Sequence, residues 1–326
     1  MSDPYLEAHS REIAEAAQRI APYVRRTPTL PTDLDESLRL KPECFQVTGS
    51  FKARGAFNAV LKLKQEHPDT KGVIAVSSGN HAQALALAAR TAQLPAVILI
   101  PHDANPAKVA ATRALGAEVI QEGITFDNRE DKVREVMQER GLTLVHPFDN
   151  WDIIHGQATA ARELLEDTPD LGMIVAPTGG GGLLSGTALA AKAHNRHIQV
   201  IGVEPERADD ARRTLETGQI QTLATAPDTI ADGVRTTSIG QINFEVMVAR
   251  RLVDAIVTVS EEEIAASVVT AWTRLKLALE PTGCLPLAAF LAGKLPGQNG
   301  PGRTTGLILS GGNASLSLVA KLLSSR

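Results

Sequence analysis

Residues 7–23 carry apolar side chains at three- and four-residue spacing, which predicts an amphipathic helix. Arg26-Thr27-Pro28 follows, where the proline holds the preceding backbone extended. From Lys71 onward, short apolar runs alternate with longer stretches of helical period. Residues 73–76, 96–100, 117–121 and 142–145 read as strands. Residues 81–92, 106–115 and 127–139 read as helices, the second with proline in its first turn. A turn-rich break falls at 146–151, and the alternation then resumes. Strands are predicted at 173–176, 199–203 and 305–309, and helices at 183–193 and 261–279. Between 205 and 227 the chain is polar and irregular, with helical spacing only over 207–217. The chain shows no internal repeat of about 20–50 residues.

Such alternation implies an α/β fold: two open, mostly parallel-sheet lobes with helices on both faces. Polar and glycine-rich stretches fall repeatedly just after strands, where open parallel sheets bind ligands.

Composition narrows the class. The 326 residues suffice for one large unit or two medium domains. A hydrophobic fraction of 43% and a charged fraction of 21% are ordinary for soluble proteins. Aromatics are only 3%, so the core is built from alanine and branched aliphatics, as suits buried parallel strands under alanine-rich helices. A net charge of -4 gives no reason to expect nucleic acid or an acidic membrane as partner. Cys44 and Cys284 cannot form a disulfide framework, and no CxxC pair suggests zinc. A reducing compartment fits that usage. With no signal-like apolar segment and no run of membrane-spanning length, the expected location is cytoplasmic.

Four loops carry candidate chemistry. Pro177-Thr178-Gly179-Gly180-Gly181-Gly182-Leu183 joins a strand to a helix. Consecutive glycines let several N–H groups converge, and the helix N-terminus adds positive dipole, which makes an anion site suited to phosphate. The spacing matches neither the P-loop nor the dinucleotide fingerprint. Thr48-Gly49-Ser50-Phe51-Lys52-Ala53-Arg54-Gly55-Ala56 places a lysine just before a helix. Burial, a cationic neighbour such as Arg54 or a helix N-terminus would make that amine partly neutral and nucleophilic. Ser77-Ser78-Gly79-Asn80-His81 lies at a strand end and helix start, an anion site suited to a carboxylate or else an ordinary N-cap. Ser310-Gly311-Gly312-Asn313 is a fourth loop of this kind. The carboxylates of Glu204-Pro205-Glu206-Arg207-Ala208-Asp209-Asp210 suit Mg2+ or Ca2+, or form a solvated acidic turn.

Taken in order, residues 45–56, 77–83, the glycine run, Thr229-Ile230-Ala231-Asp232-Gly233-Val234, Glu280-Pro281-Thr282-Gly283 and 310–313 resemble the fold type II pyridoxal-phosphate enzymes. The closest likeness is to the serine racemase and serine/threonine dehydratase branch, and it spans about residues 28–313. The resemblance implies a large cofactor-binding domain from 1–62 and 151–326 and a small substrate-side domain from 63–150. It implies that Lys52 holds pyridoxal 5'-phosphate as a Schiff base and that Phe51 covers one ring face. Gly179, Gly180, Gly181, Gly182 and Leu183 are implied to bind the phosphate, and Asn80 the ring O3′. Gly233 and Glu280 are implied to line the ring, and Ser310 to face the pyridine nitrogen. A hydroxyl there cannot hold the nitrogen protonated as a carboxylate would, which favours loss of a β-leaving group over transamination.

The implied substrate is a small hydroxy amino acid, deaminated to a 2-oxo acid and ammonia, with Lys52 taking the Cα proton. Ser77, Ser78, Asn80, His81 and Arg129 are implied to hold it. Ser78 stands where racemases carry a hydroxyl opposite the lysine, so serine racemisation is expected beside elimination. Glu204, Ala208 (through its carbonyl) and Asp210 match that subgroup's divalent cation site. A homodimer is implied. The stretch between Pro28 and Phe45 is shorter than usual, Val47 replaces a customary Lys or Pro, and Cys284 stands where a small residue is typical. These departures bear on the choice among serine, threonine and 3-hydroxyaspartate. The chain ends soon after Ser310, so no C-terminal regulatory domain and no feedback by isoleucine are expected. Two other readings remain: β-replacement of the cysteine synthase type, and a non-enzymatic nucleotide-binding module built on the glycine loop.

Overall fold

A computed structural model of the chain describes residues 3–102, 104, 106–125, 128–298 and 303–324. Asp3 caps the first helix, α1 (Pro4–Ile20), by accepting from Tyr5 N–H at 2.9 Å, with proline in the first turn. Strands β1 (Leu30–Pro31) and β2 (Leu38–Pro42) follow, and helix α2 (Lys52–Glu66) starts on Lys52 itself. Next come β3 (Val73–Val76), α3 (Asn80–Thr91), β4 (Ala96–Leu99), α4 (Pro106–Ala114), β5 (Glu118–Ile120), α5 (Arg129–Arg140) and β6 (Thr143–Leu144). Asp127, predicted to open α5, lies outside the described residues. The second half runs α6 (Trp151–Asp167), β7 (Leu171–Pro177), α7 (Gly182–His194), β8 (Gln199–Pro205), α8 (Asp210–Thr217) and α9 (Gln241–Phe244). It closes with β9 (Ala255–Val259), α10 (Glu261–Thr270), α11 (Leu285–Leu291), β10 (Thr304–Leu309) and α12 (Leu316–Ser324).

The strands form two sheets. One has six strands in the order β1-β2-β10-β7-β8-β9, parallel except for β1, which pairs antiparallel with β2. The other has four parallel strands in the order β5-β4-β3-β6. Both orders reverse direction once. In the large sheet, β8 and β9 lie on one side of β7 and β10 on the other. In the small sheet, β4 and β5 lie on one side of β3 and β6 on the other. At such a reversal the loops leaving neighbouring strands part and open a crevice at their C-terminal ends. The loops after β7 and β10 flank the crevice of the large sheet, and those after β3 and β6 flank the crevice of the small one.

Three elements differ from the sequence reading, each for a physical reason. The helix predicted over 261–279 leaves α-geometry after Thr270, passes through a π-helical turn (Ala271–Leu275) and reaches Lys276 at φ +57°. The chain must turn there, because Trp272 Nε1–H donates to Leu279 O and Glu280 N–H donates to Gly311 O. Helix α6 escapes the periodicity test because it is buried on nearly all sides. Strand β2 is disguised by the charge of Lys41, which is fully buried and meets Glu163 at 2.7 Å.

That pair belongs to a closed ionic cluster. Arg54 Nε bonds Glu43 Oε2 and Arg54 Nη1 bonds Glu163 Oε1, both at 2.7 Å, while Thr27 Oγ1 donates to Glu43 Oε1 at 2.6 Å. Two cations meet two carboxylates, and Lys41, Arg54 and Glu43 have no exposed side-chain surface. The cluster locks the end of β2 and the first turn of α2 onto α6. Arg54→Met strands two buried carboxylates with one lysine between them. It is expected to cost about 3–5 kcal/mol, read as a lowered midpoint in urea unfolding.

Candidate active site

Lys52 opens α2 with its side chain inside the protein, and Nζ donates to Pro147 O at 2.8 Å. Burial alone lowers its pKa from 10.5 to about 8. Arg54, expected as the cation that would neutralise it, is instead consumed by Glu43 and Glu163. Phe51 is half-buried against the large core, with its ring centre 5.1 Å from Lys52 Nζ. The acceptor carbonyl comes from the loop after β6, so the lysine reaches into the crevice of the small sheet.

Residues 178–182 leave β7 and enter α7. Gly181 sits at φ +98°, a conformation that side chains resist. A Cβ on Gly180 would lie 2.4 Å from the Phe148 ring, so the loop is pressed against the segment that holds Lys52. Helix N-terminal N–H groups have no intrahelical acceptor. Around them Thr178 Oγ1, Ser185 Oγ and Asn243 Oδ1 are buried with no hydrogen-bond partner. A phosphate fits this arrangement, since it would accept from the turn and both hydroxyls.

The loop after β10 lies on the lysine turn. Phe51 N–H donates to Ser310 O at 3.0 Å, Gly312 N–H to Gly49 O at 2.9 Å, and Ser50 bridges Gly311. Ser310 is buried. Glu280 is buried as well, and burial with the nearby Asp232 carboxylate pushes its pKa up to about 7, against the opposing pull of Asn80 and Lys108. Asn80 Nδ2 donates to Glu280 Oε1 at 2.7 Å, and Asn313 Nδ2 to Asn80 Oδ1 at 2.8 Å. These bonds join the two sheets, and the ion pair between Lys108 of α4 and Asp232 joins them again.

The remaining predicted residues divide into near and far. Ser77, Ser78 and His81 stand with Asn80 where β3 passes into α3. Ser77 Oγ accepts from Gly79 N–H at 3.2 Å, while among the described residues no hydrogen bond ties down the Ser78 hydroxyl. The His81 ring is turned inward: Nε2 meets Val145 O at 3.0 Å, Nδ1 has no partner, and burial with the Lys52 charge lowers its pKa to about 3. His81 therefore offers its backbone N–H rather than an imidazole. Gly233 is exposed, its N–H donating to Thr282 Oγ1 at 2.9 Å. Arg129 opens α5, half-buried and 3.6 Å from Glu130.

Glu204 ends β8, apart from this cleft, and accepts from the N–H groups of Ala211 and Arg212. Burial and the Asp210 carboxylate hold its pKa well above the usual range. Burial raises Asp210 to about 7, and its Oδ2 has no partner. Two buried carboxyls, with the Arg213 charge acting on Asp210 but not offsetting its burial, fit a hard cation. No cluster of three or more His, Cys, Asp or Glu placed to hold a metal occurs among the described residues.

His146, Pro147 and Phe148 had no part in the sequence reading beyond a turn. Asp149 N–H donates to His146 Nδ1 at 2.8 Å, which shapes the loop that presents the Pro147 carbonyl and the Phe148 ring. A carbonyl and a packing ring leave no motif. Among the described residues, no helix is long and apolar enough to cross a membrane.

Comparison with known proteins follows this geometry. The family described as "Pyridoxal-phosphate dependent enzyme" matches residues 18–311. The chain is 42% identical to an L-threo-3-hydroxyaspartate ammonia-lyase of Saccharomyces cerevisiae over 97% of this chain and 96% of that protein. It is 40% identical to a serine racemase of Oryza sativa subsp. indica, over 98% of this chain and 95% of that protein. The solved structure of maize serine racemase superposes with a TM-score of 0.89 at 38% identity, covering 97% of this chain and 96% of that one.

If burial sets the Lys52 pKa, its reductive methylation by formaldehyde in the protein without cofactor should titrate near pH 8. Exposed lysines should follow near their ordinary value, and mass mapping of the modified peptides against pH separates the two.

Proposed function

The chain belongs to the pyridoxal-phosphate dependent enzymes, and within that family we propose that it eliminates the β-hydroxyl of serine, threonine or 3-hydroxyaspartate, giving a 2-oxo acid and ammonia. The observation that carries this reading is the half-buried Lys52 amine, its pKa lowered to about 8, between a glycine loop fit for phosphate and a polar helix start fit for a carboxylate. Bound there, pyridoxal phosphate supplies an aldehyde that condenses with amines and an electron-withdrawing ring that acidifies the substrate Cα–H.

The chain's own residues do the rest. Lys52 holds the cofactor and, once released by the incoming amino group, takes the Cα proton. An amine with a pKa near 8 is neutral in a far larger fraction near neutral pH than an ordinary lysine and can act as that base. Gly179, Gly180, Gly181, Gly182 and Leu183 hold the phosphate through N–H groups that have no helical acceptor. Ser77, Asn80 and His81 receive the substrate α-carboxylate at the start of α3, with Arg129 at the start of α5 as a further cation. Asn80 donates to the ring O3′, Phe51, Gly233 and Glu280 border the ring, and Ser310 faces its nitrogen. The division into a large domain (1–62, 151–326) and a small substrate-side domain (63–150) follows the two sheets. Glu204, the Ala208 carbonyl and Asp210 hold Mg2+ or Ca2+ as a structural ion, and the working unit is a homodimer in the cytoplasm.

Racemisation is favoured by one specific observation. Ser78 lies in the same loop as the carboxylate site, with a hydroxyl committed to no other group among the described residues. It can return a proton to Cα from the side opposite Lys52.

The test is to supply the holoenzyme and Mg2+ with L-serine, L-threonine and L-threo-3-hydroxyaspartate in turn, measuring 2-oxo acid, and D-serine in the serine tube. Lys52→Ala should abolish every product, by at least about 10³-fold. Ser78→Ala should remove D-serine while leaving pyruvate within about tenfold. A holoenzyme that yields neither product unless sulfide or a thiol is added would replace elimination by β-replacement.

A further inference from the structure

Asn313 has no role in the reading above, yet both hydrogens of its side-chain amide are engaged. Nδ2 donates to Thr48 O at 2.7 Å and to Asn80 Oδ1 at 2.8 Å. An amide nitrogen has two hydrogens, so its donating capacity is used up. The chain of donors and acceptors admits one assignment. Thr48 O is a carbonyl and can only accept, so the Asn313 atom facing it is nitrogen. The same nitrogen meets Asn80, so the Asn80 atom there is oxygen. The other Asn80 terminus is then nitrogen, and it meets Glu280 Oε1 at 2.7 Å. Asn80 cannot flip without losing both bonds, and one hydrogen of its Nδ2 is left over.

The same residue braces the lysine turn. Thr48 is β-branched and sits at φ +60°, a conformation that persists only where its surroundings hold it. Asn313 grips the carbonyl of that residue. Gly49 follows at φ +72°, and a Cβ on it would lie 2.5 Å from Asn313 Oδ1. Lys52 is three residues further on.

We propose that Asn313 is a positioning residue: it holds the Asn80 amide in the one orientation that turns an N–H, not an oxygen, toward the phenolic oxygen of the cofactor, while clamping the turn that delivers Lys52. The inference rests on the assignment of Lys52 and Asn80 under the proposed function. An N–H facing that oxygen stabilises its anionic form. With the clamp gone, only the bond to Glu280 fixes the amide. A protonated Glu280 can donate to the Asn80 oxygen as readily as a carboxylate accepts from its nitrogen. The amide is then no longer held with its N–H toward the phenolic oxygen, which becomes more basic.

The experiment is a pH titration of the visible absorbance of the lysine-bound cofactor in four holoenzymes: wild type, Asn80→Ala, Asn313→Ala and the double variant. Glu280, with a pKa near 7 and with Asp232 and Lys108 beside it, also feels the loss of the Asn80 amide, so the effect of Asn313 is read from Asn313→Ala against wild type and from the double variant against Asn80→Ala. Asn313→Ala is expected to raise the midpoint by about one pH unit, a hydrogen bond to an anionic oxygen being worth roughly that much. On the Asn80→Ala background the second substitution should add nothing, because Asn313 acts through Asn80. An unchanged midpoint in Asn313→Ala, or a full additive shift in the double variant, overturns the inference and leaves the proposed function standing. A wild-type holoenzyme with no lysine-linked band overturns both. Should Asn313→Ala not fold, Asn313→Ser keeps one donor, and a smaller shift in the same direction is expected. No shift in a folded Asn313→Ser protein also counts against the proposal.

Discussion

Lys52 is half-buried with Nζ held against the Pro147 carbonyl, and the cost of placing an amine there organises the cleft. A charged ammonium with one neutral acceptor is poorly solvated, so the neutral form gains and the pKa falls to about 8. No neighbouring cation is needed. The Arg54 that could have supplied one is neutralised by Glu43 and Glu163 two residues along the same helix. The local field is thus set by burial, and burial is set by how tightly four loops close over the lysine.

Those loops come from two sheets whose strand orders each reverse once, and the two reversals meet. From the large sheet come the glycine loop after β7 and residues 310–313 after β10. From the small sheet come residues 77–79 after β3 and 146–150 after β6. Phe148 lies under Gly180, Pro147 receives Lys52, and the bonds joining Asn313, Asn80 and Glu280 cross from one sheet to the other. The ionic cluster of Lys41, Arg54, Glu43 and Glu163 stands behind this cleft and keeps the first turn of α2 from yielding. A buried ionic cluster adds little net stability on its own. Its contribution here is position, since α2 begins on the lysine.

Much of this was legible beforehand because the functional groups are local. A lysine in a glycine and serine turn, four glycines between a strand and a helix, and a serine-rich helix start are each contiguous, and their order along the chain carried the family resemblance. The α/β alternation was legible because short buried strands differ in period from alanine-rich helices. What stayed hidden acts through the backbone or through pairing. The Pro147 carbonyl and the Phe148 ring have no characteristic residue pattern. Helix α6 is buried on nearly all sides, with its exposed residues confined to its last turn, and shows no continuous polar face. Arg54 reads as a cation beside Lys52, and Lys41 carries no signal, until Glu43 and Glu163 are placed against them. The inward turn of the His81 ring depends on Val145, which is distant in sequence.

The central claim is that this one lysine carries the cofactor. Reconstituting the protein with pyridoxal phosphate, reducing with borohydride and mapping the label by mass spectrometry tests it most directly. The account predicts a single labelled peptide, modified at Lys52. Label on another buried lysine such as Lys41 or Lys192, or no covalent label in a protein that has bound the cofactor, would contradict it.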